Sequence, residues 1–311
     1  MLTIGVDVGG TKIAAGVVDE QGRIVARTRI STQADESELI VEGILASIAE
    51  LRRTHDVGSA GVVVPGMVAP TRDVVLFSPN VAWRNFPLRD RLTESLDIPV
   101  VIENDANAAG WAEFRFGVGQ DVRHMVLMTL GTGVGGAIVV DGQLLRGAFG
   151  AAGEIGHLKM VPHGHYCGCG HEGCLERYAS GRAITLAARH RVVTDPEGAR
   201  RMTELAGRGR KIKGPHVTAA AAEGDPTALE ILDELGYWTG MACASLAAVL
   251  DPELIVIGGG VAESGELFID SVRDGYLDHL SARGFREEAR IELALLGNDA
   301  GIVGAADLAR I

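Results

Sequence analysis

The sequence predicts an α/β protein whose central strands run mainly parallel, and three observations support this class. Short apolar runs rich in β-branched residues alternate with longer segments of helical periodicity. A unit of strand, glycine turn and strand occurs twice, near the N-terminus and again in the middle of the 311-residue chain. The composition, 47% hydrophobic and 23% charged, is typical of a globular protein and excludes a disordered chain.

The first of these units has predicted strands over residues 2–8 and 13–18. Backbone N–H groups at a glycine turn can approach a phosphate closely, and a threonine and a lysine add a hydroxyl and a cation. Asp7, directly before the turn, is placed to hold Mg²⁺ through water. An ordinary β-hairpin explains the segment equally well when it is taken alone. The turn residues are Gly9, Gly10, Thr11 and Lys12.

The second unit has predicted strands over residues 125–130 and 137–140. Its turn contains Gly131, Thr132 and Gly133. Two similar units in one chain predict a duplicated architecture, and the repetition strengthens the phosphate-binding interpretation of each.

Between the two units, a polar triplet, Glu103-Asn104-Asp105, follows a short predicted strand over residues 100–102. A helix is predicted directly afterwards, over residues 106–116. Ligands of α/β sheets bind beyond the carboxyl ends of the strands, so Asn104 and Asp105 are candidate site residues. Asp105 is the candidate general base, and the alternative of equal weight is that it caps the helix. Two more segments precede the triplet, a helix over residues 38–55 and a buried strand over residues 60–64 that ends at Pro65-Gly66.

The second half of the chain continues the alternation of helices and strands. A triple glycine, Gly258, Gly259 and Gly260, follows a predicted strand and fits either a nucleotide-binding loop or a simple tight turn. Residues 191–215 show no clean period and predict a surface excursion that can include one short helix. The remaining predictions are helices over 177–191, 226–250, 265–280 and 299–310, and strands over 254–257 and 291–296.

The segment over residues 153–176 concentrates metal-ligating side chains, namely His157, Cys167, Cys169 and Cys174. Three thiolates and an imidazole form a ligand set that suits Zn²⁺ in a closed structural site. The alternative is a disulfide or a set of inert thiols, but Cys-x-Cys is too tight for an easy bond between its own members. The fourth cysteine, Cys243, lies on the apolar face of a predicted helix and is interpreted as a packed core thiol.

Polar groups around this segment suit a ligand with many hydroxyls. Glu154, His157 and Glu176 can exchange hydrogen bonds with a polyol, and Asn104 and the backbone near Gly66 add further groups. A solvated surface is the ordinary alternative for the two glutamates. If one ring nitrogen of His157 binds zinc, the other is free to face the sugar, so zinc loss should lower sugar affinity without zinc taking part in the chemistry.

The runs GEIGH and CGCGHEGCLERYASG, with IGVDVGGTK at the start and GIVGAADLA at the end, resemble the ROK family of repressors and sugar kinases. Within that family the glucokinases of high-GC Gram-positive bacteria are the most similar. The resemblance implies an actin-like ATPase fold, which is ribonuclease H-like and duplicated, with two domains and a cleft between them. The expected domains are a small α/β domain over 1–117, completed by a C-terminal helix over 299–311, and a large domain over 118–298 that carries the zinc segment.

The resemblance also implies ATP-dependent phosphorylation of glucose to glucose 6-phosphate. Asp105 is then the base on the 6-hydroxyl, Mg²⁺ accompanies ATP, zinc is structural, and the triple glycine lies against the adenosine. Glu154 and Glu176 match sugar-binding positions of the family. The segment FSPNVAWR over residues 77–84 resembles the glucokinase branch most and favours glucose, while kinases for fructose, allose, mannose or N-acetylmannosamine remain alternatives. Relatives that use polyphosphate lack the three-cysteine segment, which favours ATP.

The charge balance bears on possible partners, since 41 acidic residues outnumber 29 basic ones and give a net charge of −12. This argues against nucleic acid as the main ligand. A sugar-responsive repressor is also less expected, because repressors of the family carry DNA-binding residues before the first phosphate loop and Asp7 lies close to Met1 here. The sequence shows neither a leader nor a long apolar run, so we expect a cytoplasmic protein without a membrane span. The resemblance implies a homodimer or homotetramer.

Overall fold

The structure is a computed structural model that describes residues 1–32 and 36–311. Contacts within the chain divide it into two compact units. The first unit consists of Met1–Leu127, Ala137–Gly153 and Leu295–Ile311. The second unit consists of Met128–Gly136 and Glu154–Ala294.

Strands and helices alternate along much of the chain, as the sequence predicts. The strands are β1 (Thr3–Val8), β2 (Lys12–Val18), β3 (Ile24–Ser31), β4 (Ala60–Val64), β5 (Met67–Val68), β6 (Val75–Phe77), β7 (Arg84–Phe86), β8 (Val100–Asn104), β9 (Met125–Leu130), β10 (Val134–Val140), β11 (Gln143–Leu144), β12 (Leu254–Gly258) and β13 (Arg290–Leu293). The helices are α1 (Ser37–Arg52), α2 (Leu88–Thr93), α3 (Asp105–Phe116), α4 (Gly181–Thr194), α5 (Arg200–Ala206), α6 (Gly214–Ala222), α7 (Pro226–Leu250), α8 (Ile269–His279) and α9 (Ala300–Leu308). Short 3₁₀ helices cover Ile155–His157, Leu175–Arg177, Ala262–Leu267 and Gly297–Asp299.

Two mixed sheets and a small one organise these strands. The first sheet has the order β3-β2-β1-β4-β8, in which β1 pairs with β2 antiparallel and with β4 parallel, and β4 pairs with β8 parallel. The second has the order β11-β10-β9-β12-β13, with β12 and β13 parallel. Strands β5, β6 and β7 form the third sheet. The predicted α/β class is confirmed, and the parallel strands β1, β4 and β8 bring their carboxyl ends to one edge of the first sheet.

The side chains of β1 alternate between two helical layers, as a strand period of two requires. Ile4, Val6 and Val8 are buried in the large apolar cluster that also contains Ile44 of α1. On the opposite face, Gly5 lies against the backbone of α9, where an added Cβ would overlap the carbonyl oxygen of Ile302. Helix α9 also contacts β4 and α3, so it covers the side of the sheet that α1 leaves open.

The sequence did not predict β3, β5, β6, β7, α2 or α6. Several predicted elements differ from the observed ones only at their ends. The helix predicted within 177–191, with entry through Ser180-Gly181 or slightly earlier, begins at Gly181 and continues to Thr194. The Ser180 side chain accepts a hydrogen bond from Ala183 N and caps it, as the predicted entry requires. The helix predicted over 265–280 begins at Ile269, after a 3₁₀ turn. The strand predicted over 291–296 covers Arg290–Leu293.

Helix α7 occupies the predicted range, from Pro226 to Leu250. The Asp225 side chain accepts a hydrogen bond from Ala228 N at its start, and Asp251 ends it in the left-handed conformation. Cys243 is fully buried on this helix with its Sγ 3.8 Å from Sδ of Met128, which confirms the prediction of a packed core thiol. Within the described residues, no helix combines the length and apolar character needed to cross a membrane.

The packing of α9 predicts unequal costs for two glycine substitutions. Gly5 and Gly16 are paired in register on β1 and β2, and both face Ile302. A Cβ at Gly5 would overlap a backbone carbonyl, whereas a Cβ at Gly16 would lie 2.9 Å and 3.0 Å from the methyl carbons of Ile24 and Ile302. Because side-chain methyls move more easily than a helix backbone, we expect Gly5→Ala to lower the free energy of unfolding by about 3 kcal/mol and Gly16→Ala by about 1 kcal/mol.

Urea denaturation of the two variants and the wild type measures this difference. Equal losses for the two variants would show that α9 does not constrain β1 through its backbone.

Candidate active site

The turn between β8 and α3 carries the predicted base. Asn104, the last residue of β8, caps α3 because its Oδ1 accepts a hydrogen bond from Asn107 N at 2.9 Å. Asp105 is the first residue of the helix, and its Oδ1 accepts from Ala106 N at 2.9 Å and from Asn104 Nδ2 at 3.1 Å. Capping is therefore performed by Asn104, and the alternative interpretation of Asp105 as the cap does not hold. Two donors orient a half-buried carboxylate at the carboxyl end of a parallel strand.

Gly66 supports this turn from the end of the neighbouring strand β4. Its carbonyl oxygen accepts a second hydrogen bond from Asn104 Nδ2, at 2.9 Å. The residue has a φ of +120°, and an added Cβ would overlap the carbonyl oxygen of Phe77. Only glycine fits this position without displacing backbone, and the predicted backbone site near Gly66 lies beside Asn104.

The first glycine turn closes the hairpin of β1 and β2, with Gly9 N donating to Lys12 O at 2.8 Å. Gly10, Thr11 and Lys12 are exposed. Burial raises the pKa of Asp7, and the Lys12 ammonium lowers it by a smaller amount. A divalent cation near this carboxylate would favour its ionised form, so the chemistry of Asp7 fits the predicted Mg²⁺ site.

A cavity of about 710 Å³ in the second unit brings together two of the predicted nucleotide-binding segments. Gly131 and Thr132 of the second glycine turn line it together with Gly260 of the triple glycine. Gly259, with a φ of +87°, packs closely against Leu130, while Gly258 is buried as the last residue of β12. The volume is in the range of small-molecule and cofactor sites.

The first turns of α4 and α6, which are not among the predicted site residues, complete the wall of this cavity. Gly181 N, at the start of α4, donates to Gly131 O at 2.8 Å and fixes the helix against the glycine turn. Both helix N-termini supply partial positive charge, which favours an anionic ligand. The dipeptide Gly214-Pro215 at the start of α6 is a helix-start signal that could have identified this wall. The additional lining residues are Arg182, Ile184, Thr185, Lys213, Gly214, Pro215, Thr218 and Val261.

The four predicted metal ligands converge in the second unit. The ligand atoms of His157, Cys167, Cys169 and Cys174 all lie within 4.8 Å of one another. Sγ of Cys169 lies 3.6 Å from Sγ of Cys174, and Sγ of Cys167 lies 3.8 Å from Nδ1 of His157. Ligands held at about 2.0–2.3 Å around a tetrahedral zinc ion are separated by roughly 3.3–3.8 Å. The donor set and its spacing therefore fit structural zinc.

The titration of the thiols gives a physical reason for a cation here. Burial raises the pKa of Cys169, but hydrogen bonds from His171, Cys167 and Cys174 outweigh it and lower the pKa to about 6. At Cys174, burial and the neighbouring sulfur atoms together raise the pKa to about 12. A divalent metal bound among these sulfur atoms would offset the repulsion between neighbouring thiolates.

The predicted sugar-binding residues of the second unit lie beside these features. Nδ1 of His157 faces the sulfur cluster, while its Nε2 lies 3.9 Å from Oε2 of Glu154. The two ring nitrogens of His157 thus face different neighbours, and binding of zinc by one and of a sugar by the other stays a prediction. Oε2 of Glu176 instead accepts a hydrogen bond from Val134 N at 3.2 Å, so this carboxylate supports the second glycine turn. A role of Glu176 in sugar binding stays a prediction.

The chain matches the model of the ROK family over residues 3–311. It is 44% identical to the glucokinase of Streptomyces coelicolor over 310 residues, which are 99% of this chain and 98% of that protein. It is 34% identical to the N-acetylmannosamine kinase of Salmonella newport over 319 residues, covering 100% of this chain and 99% of that protein. The crystal structure of a ROK family glucokinase from Streptomyces griseus in complex with glucose and AMPPNP superimposes with a TM-score of 0.90 and 47% identity, covering 100% and 99% of the two chains. These matches confirm the predicted resemblance and the actin-like α/β fold.

Proposed function

Because this chain belongs to the ROK family, we propose that it is a glucokinase, which transfers the γ-phosphoryl group of ATP to glucose and yields glucose 6-phosphate and ADP. The observation that carries the proposal is the carboxylate of Asp105, oriented by Asn104 and Ala106 N at the carboxyl end of a parallel strand. The Streptomyces relatives, one of them solved with glucose and AMPPNP, support both substrates.

We assign Asp105 as the general base of this reaction. Its carboxylate takes the proton of the sugar 6-hydroxyl while the hydroxyl oxygen forms a bond to the γ-phosphorus of ATP. The bond between that phosphorus and the β,γ-bridging oxygen breaks, and its electron pair leaves with ADP. Base catalysis of this kind typically contributes about 10² to 10⁴ in rate.

Sugar recognition is assigned to groups around the turn and the metal cluster. Asn104 and the backbone at Gly66 serve the sugar in the first unit. In the second unit, Glu154, His157 and Glu176 offer two carboxylates and an imidazole, which suit the hydroxyls of a hexose. His157 serves both ligand sets, since its two ring nitrogens face opposite directions.

The nucleotide is assigned to the two glycine turns and the cavity of the second unit. Gly9, Gly10, Thr11 and Lys12 serve the phosphates, as do Gly131, Thr132 and Gly133. The cavity at Gly131 and Gly260 has the size and the helix N-termini to take the adenosine and part of the phosphate chain. When bound, Mg²⁺ neutralises phosphate charge, and Asp7 is the residue that would hold it through water.

Zinc is assigned to the cluster of His157 and the three cysteines as a structural ion that shapes the sugar site. Four free thiols, three of them in a metal-type cluster, favour a reducing compartment and thus the cytoplasm. A homodimer or homotetramer is the assembly that we expect from the family.

Phosphorylation of a different hexose is the second candidate, because the N-acetylmannosamine kinase of Salmonella also matches the whole chain. Specificity among hexoses depends on one or two hydroxyl partners, each worth at most a few kcal/mol. The higher identity to the Streptomyces glucokinases favours glucose. A sugar-responsive regulator is less favoured, since the chain carries a net charge of −12.

The reaction is tested by ADP production from MgATP with glucose, fructose, mannose, allose and N-acetylmannosamine. We expect the highest kcat/KM with glucose and a loss of about 10² to 10⁴ in kcat for Asp105→Asn. Asp90→Asn is the matched control, because Asp90 is an exposed residue of α2 and its variant should retain wild-type kcat. Turnover of another sugar in preference to glucose would refute the substrate, and full activity of Asp105→Asn would refute the base.

The zinc assignment is tested with two cysteine variants. We expect about one zinc per wild-type chain and per Cys243→Ala chain, and much less in Cys174→Ala, when metal is measured by mass spectrometry. Loss of one hydrogen bond from His157 to a sugar hydroxyl, about 1.4 kcal/mol, should raise the glucose KM of Cys174→Ala about tenfold. Because zinc takes no part in the chemistry, kcat should change little. A folded, zinc-free Cys174→Ala protein with the wild-type glucose KM would contradict the assignment.

A further inference from the structure

Glu103, directly before the Asn104-Asp105 turn, is a carboxylate with only 3% of its surface exposed. Four donor groups surround its two oxygens. Oε1 accepts hydrogen bonds from Asn104 N at 3.1 Å and from Asn107 Nδ2 at 3.0 Å. Oε2 accepts one from Arg146 Nε at 2.7 Å and lies 3.5 Å from Arg72 Nε. One buried side chain thus connects the turn to two arginines that are distant in the sequence.

The Oε1 contacts hold the two residues that shape the turn. Asn104 N fixes the backbone just before Asp105, and Asn107 lies in the first turn of α3, where its own N–H is capped by Asn104 Oδ1. Glu103 therefore holds the cap residue and the capped residue at the same time. A shift of this carboxylate would move the group to which Asp105 Oδ1 is hydrogen-bonded.

The Oε2 contacts anchor the carboxylate itself. Arg146 begins a glycine-rich loop, in which its carbonyl oxygen accepts from Ala152 N at 3.2 Å. Arg72 has a φ of +57°, and burial lowers the pKa of its guanidinium while Glu103 partly restores it. A buried ion pair is a weak source of stability compared with apolar packing. It does fix the orientation of the charged side chains, because each buried donor and acceptor needs a partner.

We propose that Glu103, anchored by Arg146, is a positioning residue that holds Asn104 and Asp105 in the geometry needed for phosphoryl transfer. This inference rests on the function proposed above, since it assigns Glu103 a role in that same reaction. The carboxylate acts through its neighbours and has no contact with the reacting atoms in this assignment.

Glu103→Gln tests the role with almost no change of shape. An amide has one acceptor oxygen and one NH₂ donor, whereas all four neighbours of Glu103 are donors. The NH₂ group must therefore face either the two asparagine donors or the two arginines. With the NH₂ group facing the asparagines, the turn loses its acceptor. With the NH₂ group facing the arginines, the side chain keeps its contacts with the turn but loses the anchor at Arg146.

Glu113→Gln is the matched control, because Glu113 of α3 is, like Glu103 of β8, a buried glutamate, with 1% exposure. It accepts hydrogen bonds from Leu296 N at 2.7 Å and Val118 N at 3.3 Å, at the end of the helix opposite to Asp105. Both variants place an amide where backbone or side-chain donors surround a buried carboxylate. We expect similar decreases in melting temperature for the two variants.

The experiment compares kcat, the KM for glucose, the affinity for AMPPNP and amide hydrogen exchange in wild type and both variants. Since misplacement of a catalytic group by about 1 Å costs up to about 10² in rate, kcat of Glu103→Gln should fall tenfold to a hundredfold. Glu113→Gln should keep kcat within about twofold at a similar loss of thermal stability. AMPPNP affinity should be unchanged in both, and only Glu103→Gln should show faster exchange at residues 104–107.

The outcomes separate the two proposals. A wild-type protein without kinase activity on any hexose would refute the proposed function and the positioning role with it. An active wild type in which Glu103→Gln and Glu113→Gln lose kcat equally, or in which residues 104–107 keep wild-type exchange, would overturn the positioning role and leave the proposed function intact.

Discussion

The close approach of α9 to the first sheet is the constraint on which the position of the active-site turn depends. Gly5 of β1 and Gly61 of β4 lack side chains where the backbone of α9 crosses them, at Ile302 and Ala305. Because the helix backbone packs directly on two parallel strands, the distance of each strand from α9 is fixed. Those strands end at Val8, next to Asp7, and at Val64, two residues before Gly66. Strand β8, which pairs with β4, ends at Asn104. Backbone packing on one face of the sheet thereby fixes the positions of the residues at its carboxyl edge.

The buried carboxylate of Glu103 adds directional contacts to this backbone packing. The carboxylate of Glu103 is surrounded by donors from the turn and from two arginines, and Gly66 offers its carbonyl oxygen to the cap residue Asn104. Each of these contacts has a direction, so together they leave the Asn104-Asp105 turn little freedom. In the second unit, residues that follow the metal-type cluster in the sequence support the second glycine turn through hydrogen bonds. Glu176 follows Cys174 closely and accepts a hydrogen bond from Val134 N, while Gly181 N donates to Gly131 O.

The parts of the fold that depend on local signals could be predicted from the sequence. Helix α7 begins at a proline after a capping aspartate and has one long apolar face, and its range matches the prediction. The choice between Asn104 and Asp105 as the cap could not be predicted, because both residue types are good caps and only the backbone decides which is used. The cavity wall at Lys213, Gly214 and Pro215 was missed because residues 191–215 show no period, and their position depends on packing against α4. The donors around Glu103 were missed because Arg72 and Arg146 meet it only in the folded chain.

The central claim, that this chain phosphorylates glucose at its 6-hydroxyl, is tested most directly by identifying the product. Phosphorus NMR of the wild-type protein with ATP, Mg²⁺ and glucose should show ADP and glucose 6-phosphate appearing in equal amounts. Appearance of inorganic phosphate without a sugar phosphate, or of a phosphate ester at another hydroxyl, would contradict the claim.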